Sequence, residues 1–97
     1  MTRKEILEAA TKCVCGDREE DYGSPERNFQ TIAELWTAYK HVAFSPVDVA
    51  LMLALLKIGR ISSGRIKDDN AVDLAGYAAC AGEIWAQQEC VPTIDLH

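Results

Sequence analysis

Ser45-Pro46-Val47-Asp48, running directly into VALMLALLKIGRI at residues 49–61, is the stretch whose reading decides the fold. Its opening is a helix start. The serine caps free backbone N–H groups, the proline has no N–H to lose in the first turn, and the aspartate sits where the helix dipole favours negative charge. From Val49 to Leu56 every residue is apolar. In a helix that pattern predicts burial on nearly all sides, so the segment is either the central helix of the fold or faces a second subunit. Polar character returns at Lys57 and Arg60, and Ser62-Ser63-Gly64 ends the element.

Working outward, Asp68 or Asp69 caps a following helix that reaches about Gln88 and is rich in alanine, with glycines at 76 and 82. Such small residues permit close helix contact, and Pro92 ends the pattern. Upstream, Ser24-Pro25-Glu26 repeats the Ser-Pro start, followed by an apolar stripe at Phe29, Ile32, Ala33, Trp36 and Tyr39. Thr2 and Glu5 form a capping box for a first helix from about Thr2 to Cys13, closed by Gly16. Between Gly16 and Gly23 lies a charged surface loop, DREEDY, with Asp17, Glu19, Glu20 and Asp21. No β-branched run with a period of two occurs. The expected fold is therefore all-α: a small bundle of about four helices with a central antiparallel helical hairpin, forming one domain over residues 1–97.

The chain has 97 residues, 48% of them apolar and 26% charged, with a net charge of −5. Those proportions suit one folded core and exclude a disordered chain. The acidic balance disfavours duplex nucleic acid, although a few placed cations can still hold a small phosphorylated ligand. No stretch approaches the roughly 20 apolar residues that span a bilayer, and the N-terminal residues lack a signal-peptide core, so a cytoplasmic location and no membrane partner are expected. With no secretion signal, Cys13, Cys15, Cys80 and Cys90 are expected as reduced thiols. Cys13 and Cys80 are expected to pack as small hydrophobes. The unbroken apolar run of the third helix further predicts a homo-oligomer, a dimer or higher.

Few groups stand out as chemical. Asp69 and Asp73 are one turn apart on one helix face, the arrangement by which a helix presents oxygen ligands to Mg²⁺. Asp73 lies one turn inside an otherwise apolar helix, where an unpaired carboxylate is costly. It therefore serves either a metal or catalytic role or an ion pair with Lys57 or Arg60. These two cations, also one turn apart, sit near the hairpin end and could contact a phosphate, or simply suit the helix dipole. In the acidic loop, Tyr22 could stack on a base and Asp21 could contact the ligand, whereas Trp36 completes its helix's apolar stripe.

The strings EEDYGSPERNF, IAELWTAY, SPVDVALMLALLKIGRI and KDDNAVDLAGYAA resemble a family of uncharacterised small proteins of phages and prophages. That family is distantly similar to the MazG-like all-α nucleoside triphosphate pyrophosphohydrolases, helical oligomers that hold Mg²⁺ on acidic helix motifs. The resemblance implies a nucleotide-binding phage protein, with Mg²⁺-dependent hydrolysis of a nucleoside triphosphate as the reaction if it is an enzyme. The E-x-x-D motif of those enzymes falls on Asn70 to Asp73, making Asp73, with Asp69, the implied metal and catalytic residues. Their E-x-x-E partner motif has no counterpart between Val49 and Ile61. The alternative is a protein that sequesters a nucleotide without cleaving it, or an anti-defence protein that inhibits a host immunity protein by binding it.

Overall fold

The computed structural model describes residues 1–16, 23–64 and 68–88. The described chain forms four helices: α1 (Arg3–Cys15), α2 (Pro25–Lys40), α3 (Pro46–Ser62) and α4 (Asp68–Gln87). No strand occurs among the described residues. No helix among them is long and apolar enough to cross a membrane.

Each of the first three helices begins where its sequence has a cap. Thr2 Oγ1 accepts the Glu5 backbone N–H at 3.1 Å while the Glu5 carboxylate accepts the Thr2 N–H at 2.9 Å. The same reciprocal box joins Ser45 and Asp48, at 3.1 and 2.9 Å. Ser24 caps α2 by accepting the Arg27 N–H. These bonds satisfy backbone donors that have no partner inside the helix. Asp68 and Asp69 lie in the first turn of α4 rather than ahead of it. There they still complement the dipole.

Helices α3 and α4 form the hairpin, and α1 and α2 pack against it. Val49 and Ala50 of α3 are fully buried, against Cys80, Ala81 and Ile84 of α4 and Phe29 and Ala33 of α2. The buried side chains are mostly small, so the helix backbones approach closely. At Gly76 an added Cβ would stand 3.1 Å from Val14 Cγ1, which places α1 hard against α4.

Three expectations from the sequence are corrected. The apolar run of α3 is not buried all round: Val49, Ala50 and Ala54 face the core, whereas Leu51, Met52, Leu55 and Leu56 are 41–63% exposed. With one helix on each side, a four-helix chain covers only the inner half of α3. Tyr39 does not continue the stripe of α2; it is 81% exposed, because the core side of that helix ends at Trp36, which stacks edge-on against Phe44 at 5.7 Å. Cys13 is likewise exposed, unlike buried Cys80, and Cys90 lies outside the described residues.

The turn from α2 to α3 is compact. His41 caps α2 in the left-handed conformation, φ 58°, and its N–H donates to the Thr37 carbonyl at 2.8 Å. Thr37 Oγ1 then accepts the Phe44 N–H at 2.9 Å, holding Phe44 over Trp36. A non-glycine residue pays a steric cost at that φ, so His41→Gly is expected to raise stability by about 0.5–1 kcal/mol in urea unfolding.

Two carboxyls are held below their ordinary value. At Glu5 the cause is the Thr2 backbone N–H and then its hydroxyl. At Glu26 burial pushes the carboxyl up, but hydrogen bonds involving its own N–H, Gln87, Ser24 and Glu83 outweigh it. A carboxylate depressed in the folded state favours folding above its unfolded value and loses that contribution as pH falls through the folded one. The urea midpoint should therefore decrease on acidification below the ordinary value of 4.5, and less steeply in a Glu26→Gln variant.

Candidate functional site

A hollow of about 190 Å³ opens where α1, α2, α3 and α4 meet. Phe29 and Tyr77 supply its aromatic walls, with ring centroids 6.4 Å apart and planes tilted by 50°. Leu53 and Ile32 add aliphatic surface, Cys13 and Val14 close the α1 side, and Asn28 brings the one side-chain amide. Gly23 and Pro25, at the start of α2, form part of the rim. At Gly23, φ is +80° and an added Cβ would stand 4.0 Å from Cδ of Arg27. The Arg27 stem therefore passes beside the rim.

These positions follow from helix geometry. Phe29 and Ile32 are neighbours on the inner stripe of α2, while Tyr77 and Cys80 are neighbours on α4. One helical turn further along each strand of the hairpin, Leu53 gives way to Lys57 and Tyr77 to Asp73. The Lys57 Nζ and Asp73 Oδ2 meet there at 2.9 Å, with side chains only 11% and 31% exposed. A small recess bounded by Asp73, Gly76 and Tyr77 shares Cys13, Val14 and Tyr77 with the larger cavity. Asp73 thus lines a recess that adjoins the larger cavity across shared wall residues.

The residues singled out in the sequence separate in space. Lys57 and Asp73 come together. Arg60 and Asp69 are both exposed, and Asp68 instead meets the chain's N-terminal amine at 3.4 Å. Tyr22 and Asp21 lie outside the described residues, as do Glu19 and Glu20. Trp36 is committed to Phe44. Among the described residues no three acids, histidines or cysteines are grouped so that they could hold a metal ion, and the Asp73 carboxylate is already engaged by an ammonium. The described donors alone therefore do not compose a Mg²⁺ site, which takes several oxygen ligands around one point.

The cavity walls were not singled out from sequence. Phe29 reads there only as one member of an apolar stripe. The available signal was the coincidence of an aromatic on each helix with an amide at Asn28, next to a break in the chain's helical pattern at Gly23-Ser24-Pro25.

The ion pair is partly desolvated, so removing its two ends has unequal cost. Asp73→Ala leaves a nearly buried ammonium without its partner and is expected to lower stability by about 1–3 kcal/mol. Lys57→Met keeps the stem packing and leaves a carboxylate that water can reach, for a loss under about 1 kcal/mol. Chemical denaturation of the two variants checks the order.

Comparison with known proteins places the chain. Residues 5–85 match the model of a domain of unknown function, DUF6378. The chain is 47% identical over 74 residues to the Gene 55 protein of Mycobacterium phage L5, covering 75% of this chain and 47% of that protein. It is 38% identical over 82 residues to the Gene 55 protein of Mycobacterium phage D29, covering 84% and 54% respectively. The chain thus spans about half the length of these curated relatives. No solved structure matches it. On this evidence the chain belongs to the DUF6378 family and is a phage-type protein, related to the Gene 55 proteins of mycobacteriophages.

Proposed function

We propose that the chain binds a nucleotide, with the base in the aromatic cavity and the phosphates outside it. The observation that carries this reading is the cavity's composition: an apolar hollow with the Phe29 and Tyr77 rings in its wall, one amide at Asn28, and the Arg27 stem passing beside its rim. At about 190 Å³ the cavity is smaller than the roughly 300–1,000 Å³ that encloses a whole drug-sized ligand, which suits one planar ring system with the remainder in solvent. Aromatic faces stack on any base, an amide can bond a base edge, and guanidinium or ammonium groups pair with phosphate.

Capture without cleavage fits the donor set best, since Asp73 is paired with Lys57 rather than grouped with other acids. A phage could use such capture to sequester a host nucleotide. Hydrolysis in the MazG-like manner would require Asp69 and Asp73 to join acids from outside the described residues around Mg²⁺. That metal would polarise the phosphoryl oxygens.

Calorimetric titration with each common ribo- and deoxyribonucleoside triphosphate, with and without Mg²⁺, tests the reading. Saturable binding of at least one is expected, weakened about tenfold or more by Tyr77→Ala, with the ligand recovered intact. Pyrophosphate release in the Mg²⁺ arm would favour the hydrolase instead. No binding of any member, or binding indifferent to Tyr77→Ala, would remove the proposal.

A further inference from the structure

The outer face of α3 carries an ordered arrangement that the fold itself does not use. Leu51, Met52, Leu55, Leu56 and Ile58 are 49%, 41%, 63%, 49% and 45% exposed, five large apolar side chains within eight consecutive positions. Scattered exposed leucines need no explanation, but a contiguous stripe on one helix marks a contact surface. The stripe also has charged ends. Asp48, Met52, Leu56 and Arg60 follow one another at intervals of four, so they form a single ridge along the helix, acid at the start and cation at the finish. Both end residues are exposed, and among the described residues the Arg60 guanidinium has no ion-pair partner.

We propose that this face is covered by a second copy of the chain, with the two α3 helices antiparallel across a two-fold axis at the level of residue 54. A ridge reading acid, apolar, apolar, base is complementary to itself only when reversed. Antiparallel pairing sets Asp48 against the partner's Arg60 and Met52 against the partner's Leu56, and the two-fold repeats each contact. Leu51 and Leu55 extend the apolar surface beside this ridge. A parallel pairing would bring Asp48 onto the partner's Asp48 and Arg60 onto the partner's Arg60. The charge pattern thus selects one occupant and one orientation.

The inference is independent of the nucleotide cleft, which lies on the opposite, inner side of the hairpin. Sedimentation equilibrium of the whole chain at 1–100 µM (roughly the range in which a moderate dimer dissociates) tests it, together with helical content by circular dichroism. The expected results are a dimer for the wild-type chain and a folded monomer for Leu55→Glu, whose side chain is exposed in the single chain. Arg60→Glu, which sets acid against acid, is expected to weaken association about tenfold or more. The double variant Asp48→Lys with Arg60→Glu, which reverses both ends, should recover most of it relative to Arg60→Glu alone. A wild-type monomer throughout, a dimer untouched by Leu55→Glu and Arg60→Glu, or a stripe that proves to hold a different protein while the chain alone stays monomeric would each overturn the proposal.

Discussion

Close approach of α3 and α4 is the constraint on which the other parts depend. The contact is made by small residues, Ala50 and Ala54 on one side and Cys80 and Ala81 on the other, with Val49 and Ile84 filling the remainder. Small side chains bury little apolar area each, so their value lies in letting two helix backbones come near enough for a long, void-free seam. That seam fixes the register of the hairpin, and register decides which residues face each other. It is why Lys57 finds Asp73 and why Leu53 and Tyr77, one turn along, border the same cavity.

The other helices take their places from this pair. Gly76 admits Val14, so α1 can lie close on α4, and Phe29 with Ala33 seats α2 in the core cluster. The capped turn through His41 and Thr37 sets the direction in which α3 leaves α2. A side-chain hydrogen bond of 3.1 Å between Gln87 and Glu26 ties the end of α4 to the start of α2, beside the cleft rim. The four described helices cover one side of α3 and leave Leu51, Met52, Leu55 and Leu56 on the other exposed. The polar groups follow the same division. Asp73 is retained inside because an ammonium meets it, and Asp48 and Arg60 stand outside at the ends of an apolar stripe.

Most of the architecture was legible in the sequence because helix starts are local chemistry. Thr2 with Glu5, Ser24 with Pro25, and Ser45 with Asp48 each announce a first turn, and all three are where α1, α2 and α3 begin. The ion pair was legible as one of two outcomes for Asp73, since an inward carboxylate calls for a partner, but only the hairpin register singles out Lys57 over Arg60. Burial was the least legible property. Composition alone cannot say that Leu55 is exposed while Ala54 beside it is buried, because that depends on how many helices surround α3 and not on its own residues. The cavity is likewise a tertiary product, assembled from side chains on four helices, each of which reads as ordinary core in one dimension.

On the proposed reading, the register of the hairpin builds an aromatic cavity, bordered by Leu53 and Tyr77, that captures a nucleotide. The most direct measurement is mass spectrometry of the small molecules released when protein purified from bacterial cells is denatured. The account predicts an intact nucleotide in stoichiometric amount from the wild-type chain and its loss from Tyr77→Ala. A wild-type protein that is folded yet releases no nucleotide, or one whose nucleotide persists in the Tyr77→Ala variant, would contradict it.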